Sequence, residues 1–125
     1  MLYLIVFLGA GIGVAMRHGV NIGAAKLFSP GFPFGTFIVN VAGSFAMGLL
    51  AGYFAYRAGV PQHLRLFLTT GILGGYTTFS TFSLDTALLY ERGDNLGTAA
   101  LYVALSVALS IGGLFAGMAM VRAWG

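Results

Sequence analysis

The chain has 125 residues, 58% of them hydrophobic and only 7% charged, which excludes an ordinary water-soluble domain, whose charged fraction is about 25%. The formal net charge of +3 comes from six Lys and Arg placed singly. This excludes a nucleic-acid surface and leaves membrane lipid, with its anionic headgroups, as the partner these cations suit. Without cysteine, disulfides, thiolate catalysis and Cys-ligated metals are excluded as well.

In chain order the sequence predicts four membrane-spanning helices, at about 2–26, 34–57, 64–90 and 96–123. The first opens with the apolar run Leu2 to Met16 and reaches the ~20 residues needed to cross a bilayer by continuing past Arg17 and His18. A secretory signal would carry a basic start and precede a polar mature domain, but the residues downstream are as apolar as the segment itself. The other three contain runs free of Asp, Glu, Lys and Arg: Phe34 to Tyr56, Leu66 to Leu84 and Leu96 to Val121. A Ser29-Pro30-Gly31-Phe32-Pro33 turn, an Arg57 to His63 loop with Pro61 and a Glu91-Arg92-Gly93-Asp94 link join them. There is room for one domain, spanning 1–125.

Glycine pairs at four-residue spacing, Gly9/Gly13, Gly19/Gly23, Gly48/Gly52, Gly71/Gly75 and Gly113/Gly117, predict helices whose backbones approach closely in lipid. The basic residues near the helix ends divide almost evenly: Arg57, Arg65 and Arg122 on one side, Lys26 and Arg92 on the other, with Arg17 able to join the latter. Orientation follows such a count. Near balance leaves two outcomes open on charge alone, a single weakly biased topology or insertion both ways up.

The third helix carries the run Gly71-Ile-Leu-Gly74-Gly75-Tyr76-Thr77-Thr78-Phe79-Ser80-Thr81-Phe82-Ser83-Leu84-Asp85. Adjacent glycines followed by β-branched hydroxyl residues are poor helix formers. A break here would bare backbone at membrane depth, where it survives only in protein or beside a cavity, and carbonyls of Gly74 and Thr77 could then face a cation. An unbroken helix with back-bonded Ser and Thr fits the same letters. Asn40 lies within the apolar second helix, after Thr36, and Tyr102, Ser106 and Ser110 share one face of the fourth. These are neutral hydrogen-bonding groups, as an anion path requires and as helix-to-helix contacts also use. Phe79 and Phe82, three apart, share a face; they are either packing or positive ring edges along a dry anion route. Asp85 and Arg17 fit a water-filled vestibule or a supporting role. His18 and His63 lack partner ligands at metal spacing. No catalytic triad, carboxylate pair or phosphate-binding loop occurs, so the chain is not an enzyme.

Three stretches, Gly13-Val-Ala-Met-Arg17, Gly35-Thr36 through Asn40 to Gly43-Ser44-Phe45, and Gly71-x-x-Gly74-Gly75-x-Thr77-Thr78-Phe79-Ser80-Thr81-Phe82, resemble the small bacterial fluoride channels of the Fluc or CrcB family across essentially the whole chain. The resemblance implies an all-α membrane protein of four transmembrane helices, the third broken near the membrane centre, assembled as an antiparallel dual-topology homodimer in the bacterial plasma (inner) membrane. It implies passive fluoride efflux that lowers cytoplasmic fluoride. Carried over by position, the fluoride pore falls on Asn40, Phe79, Ser80, Thr81, Phe82, Tyr102, Ser106 and Ser110, with Arg17, Thr36 and Asp85 as vestibule or supporting residues. A structural sodium ion falls on backbone carbonyls of Gly74 and Thr77. Family members often carry Glu where this chain has Asp85 and an aromatic residue where it has His18.

The rival reading is a small dual-topology proton-coupled exporter of toxic cations. Such exporters need a carboxylate in the first helix, where this chain has none, so Asp85 would have to substitute.

Overall fold

A computed structural model describes residues 1–28, 32–57, 59–93 and 96–124, with the side chains of Tyr56 and Gly93 excepted. Most of the predicted turn at Ser29 to Gly31 and the end of the link at Asp94 lie outside the described residues. Every regular element among them is helical: α1 (Leu2–Leu27), α2 (Phe34–Tyr56), α3 (Gln62–Leu66), a π-helical segment (Phe67–Leu73), α4 (Gly74–Tyr76), α5 (Ser80–Gly93) and α6 (Leu96–Trp124). Helices α1, α2 and α6 are long and apolar enough to cross a membrane. Their large side chains face outward in numbers no aqueous surface would carry, among them Phe7, Leu8 and Ile12 on α1 and Leu101, Leu109 and Phe115 on α6.

Glycine decides which helices touch. A Cβ on Gly13 would collide with Ile72 O and one on Gly75 with Ala10 O, while one on Gly9 would stand 3.0 Å from Gly71 Cα. α1 therefore lies backbone to backbone along the π segment and α4, and runs parallel to them. On the other flank, a Cβ on Gly48 would meet Leu114 O and one on Gly117 would meet Phe45 O, which sets α2 parallel to α6 in the most extensive contact of the fold. The expected pair Gly19/Gly23 does not take part: nothing lies within 4 Å of a Cβ at either position. Four-residue spacing marks a smooth ridge without saying whether a neighbour uses it.

These directions sort the chain ends. Arg57, Arg65 and Arg122 fall at one end of the bundle, and Lys26 and Arg92 at the other. At the first end the Arg57 guanidinium lies 5.3 Å from the Tyr53 ring centre and that of Arg65 5.4 Å from Phe54, cation–π contacts suited to a membrane boundary.

The region from Gln62 to Gly93 is not one helix. Thr69 donates its hydroxyl to Arg65 O at 2.6 Å at the start of the widened π turns, a form that recurs at functional sites. The Gly74-Gly75 pair, expected to mark the break, stays helical because Gly75 is pressed against α1. Continuity is lost one turn later, at Thr77 to Phe79, and α5 then carries the chain on to the Lys26 end.

Candidate functional site

At the break Thr77 turns extended, with φ −86° and ψ 157°. Its N–H and its hydroxyl both donate to Leu73 O, each at 3.0 Å, closing the last turn. The next peptide would be stranded without help from α2. Asn40 supplies it twice: Nδ2 donates to Thr78 O at 2.9 Å and Oδ1 accepts from the Thr78 N–H at 2.8 Å. The side-chain amide thus stands in for the missing helical partners, as backbone at this depth requires. Gly43, three residues on, makes the approach possible, because a Cβ there would strike Thr77 Cγ2. The Thr78 hydroxyl then accepts from the Thr81 N–H at 3.3 Å and caps α5 in the manner of an N-cap threonine.

One consequence concerns Gly74. The Thr78 N–H, which would bond the Gly74 carbonyl in a continuous helix, is given to Asn40, so that carbonyl is released from the helical ladder; Gly74 itself is exposed. Among the described residues no three His, Asp or Glu side chains are grouped to hold a metal. A hard cation here would be held by main-chain oxygen, and a carbonyl freed from the helical ladder on an exposed residue fits that task.

Beside the break lies a cavity of about 300 Å³ whose walls include Asn40, Ser44, Thr78, Phe82, Ser106 and Ser110. Phe79 and Thr77 also border it. The Phe79 and Phe82 rings stand 5.5 Å apart at 53°. They differ sharply in surroundings, since Phe82 is 8% exposed and Phe79 77%. The three polar residues of α6 also separate: Tyr102 is fully buried, Ser106 is 4% exposed and Ser110 is half-buried. The Ser106 hydroxyl has no hydrogen-bond partner among the described residues.

A second cavity, of about 340 Å³, opens toward the Lys26 end and is bordered by Asn21, Phe32, Thr36, Thr81 and Asp85. Tyr102 borders neither space. Its hydroxyl donates to Asp85 Oδ2 at 3.3 Å, and Thr36 is buried. The expected residues are therefore brought together in two groups: Asn40, Phe79, Phe82, Ser106 and Ser110 around the first cavity, and Thr36, Thr81 and Asp85 around the second, with Tyr102 between. Arg17 and Ser80 border neither. Sequence reasoning missed Asn21, Ser44 and Thr78 as lining residues. Ser44 sits four residues after Asn40 and Asn21 four after Arg17, so helical spacing from a chosen residue would have found both.

Residues 4–118 match the family described as CrcB-like protein, Camphor Resistance (CrcB). The chain is 62% identical over 123 residues, 98% of each chain, to the fluoride-specific ion channel FluC of Rhodopseudomonas palustris (strain BisB5). It is 61% identical over 122 residues, again 98% of each, to the fluoride-specific ion channel FluC 2 of Nitrobacter hamburgensis. The FluC of Methylobacterium nodulans is 62% identical over 122 residues, 98% of this chain and 97% of that one. With a match over nearly its whole length and relatives at this identity, the chain belongs to the CrcB family.

Proposed function

We propose that this protein is a fluoride channel, a passive conduit and not an enzyme, in the inner membrane of a bacterium. The observation that carries the reading is Ser106, a hydroxyl 4% exposed and without a hydrogen-bond partner among the described residues, placed on a cavity walled by phenylalanine rings. Leaving such a donor unpaired costs about 1–3 kcal/mol, a cost that makes sense where a passing anion takes the bond. Fluoride is small and strongly hydrated, so a route for it must replace water with neutral donors and ring edges and carry no fixed cation that would trap it. The relatives named as fluoride-specific channels support the same ion. Passive flow outward would lower cytoplasmic fluoride.

The working unit in this reading is an antiparallel, dual-topology homodimer. Phe79 is 77% exposed and Gly74 is exposed on the same interrupted helix, and the basic residues are nearly balanced between the two ends. A second copy turned over would cover that face and bring two sets of Gly74 and Thr77 carbonyls toward one axis. Four such oxygens suit a structural sodium ion, whose role would be to hold the crossing helices together.

The test is fluoride efflux from proteoliposomes loaded with fluoride and containing wild type, Phe79→Ile, Phe82→Ile or a control, Phe115→Ile, on the exposed face of α6. Rapid efflux in wild type and control, with severe loss in both ring variants at unchanged dimer yield, is expected. Isoleucine offers no ring edge and should cost only about 1–3 kcal/mol in packing. Impermeable wild-type liposomes would remove the channel reading; normal efflux in both ring variants would reduce those rings to packing.

A further inference from the structure

Tyr102 stands between the two cavities, and a ring from each packs on it: Phe82, from the first, at 5.1 Å and 46°, and Phe32, from the second, at 5.3 Å and 89°, edge to face. Its hydrogen bond to Asp85, at 3.3 Å, is long for an O–H to oxygen contact and is a weak restraint by itself. The rings must therefore do much of the aiming. Phe32 is held unusually well for a residue in a connection. Pro33, at φ −79° and ψ 70°, forms an inverse γ-turn in which the Phe34 N–H donates to Phe32 O at 2.8 Å, and proline presets that φ. The Phe34 ring lies 4.9 Å from Phe32 and is itself stacked on Phe28 at 4.6 Å.

We propose that Phe32 is a positioning residue for conduction, acting through Tyr102: the Pro33 turn sets its ring in a T-shaped contact with the phenol and keeps the Tyr102 hydroxyl on Asp85 where one cavity gives way to the next. This rests on the channel reading above. The physical need is electrostatic. A carboxylate beside an anion's route repels it unless a donor is kept on that carboxylate, and a phenol free to swing away would leave Asp85 uncovered.

Two readouts test this. Fluoride efflux is measured for wild type, Phe32→Leu, Phe32→Tyr and Pro33→Ala, with dimer yield checked in each. In parallel, 3-fluorotyrosine is placed at position 102 alone and its ¹⁹F resonance is followed in fluoride-free buffer. Phe32→Leu should lower efflux by about tenfold, within the range coupled neighbours show, and shift or broaden the resonance; Phe32→Tyr should restore both. Pro33→Ala, which leaves every ring in place, should move both readouts the same way and serves where Phe32→Leu fails to assemble. Wild-type efflux in Phe32→Leu, or lost efflux with an unchanged resonance, would overturn the assignment. A resonance moved by Phe32→Leu in a protein whose wild type passes no fluoride would sink the channel reading while upholding the hold of Phe32 on Tyr102.

Discussion

Asn40 shows how one side chain can support a chain break and line a cavity at once. Its amide spends an acceptor and a donor on Thr78, and the same residue borders the first cavity. Replacing it with alanine strands both polar groups of the Thr78 peptide, and at about 1–3 kcal/mol for each unsatisfied group Asn40→Ala should lower stability by roughly 2–6 kcal/mol. Thermal unfolding of the detergent-solubilised protein would check this. Asn40→Asp keeps an acceptor for the Thr78 N–H but removes the donor and adds a negative charge beside the cavity, so it should pass less fluoride than its folded fraction accounts for. A stability unchanged by alanine would mean that the break holds itself open without α2. From the sequence, Asn40 was recognisable as an amide in an apolar run, but its partner was not, because Thr78 lies 38 residues away and no local pattern links the two.

Among the helices, glycine does what bulky side chains do in water: it selects the contact surface. Gly13→Ala must push α1 away from Ile72 and Tyr76, since the backbone N of Tyr76 lies 2.8 Å from the new Cβ and backbone cannot rotate aside. Overpacking of this kind costs about 1–3 kcal/mol. Gly19→Ala meets nothing within 4 Å and should be neutral or stabilising by up to about 1 kcal/mol, as alanine is the better helix former. Melting of the two variants in parallel decides the matter, with equal shifts counting against backbone-to-backbone packing. Spacing alone treats the two glycines alike. What separates them is which face of α1 meets the π segment.

At the scale of the whole molecule, orientation and assembly are open to direct test. Because the chain has no cysteine, single substitutions report cleanly. Ala123→Cys marks the Arg57 end and Glu91→Cys the Lys26 end. In intact cells an impermeant thiol reagent should label a fraction of each variant, as a chain inserted both ways up would present both ends. Labelling confined to one variant would rule out dual topology. If sodium is held by Gly74 and Thr77 carbonyls across the dimer, the purified dimer should exchange subunits more slowly in sodium than in a large organic cation. Equal exchange rates would leave those carbonyls without an ion.

The helical, membrane-spanning character was legible in the sequence because apolar length is a property of one dimension: a run such as Leu96 to Val121 must find lipid or protein to cover it, whatever its neighbours. The family was legible for a related reason, since the Gly71 to Phe82 run combines residue types that serve poorly in an ordinary helix. Tertiary structure alone decided where that run breaks. Helix propensity favoured the Gly74-Gly75 pair, yet α1 packs on Gly75 and keeps it helical, and the amide of Asn40 makes Thr78 the peptide that can be released without leaving its polar groups unpaired. It also divided the polar residues of α6 between burial and cavity. Helical spacing set Tyr102, Ser106 and Ser110 on one face, but which of them met Asp85 and which met empty space depended on how α5 leaves the break.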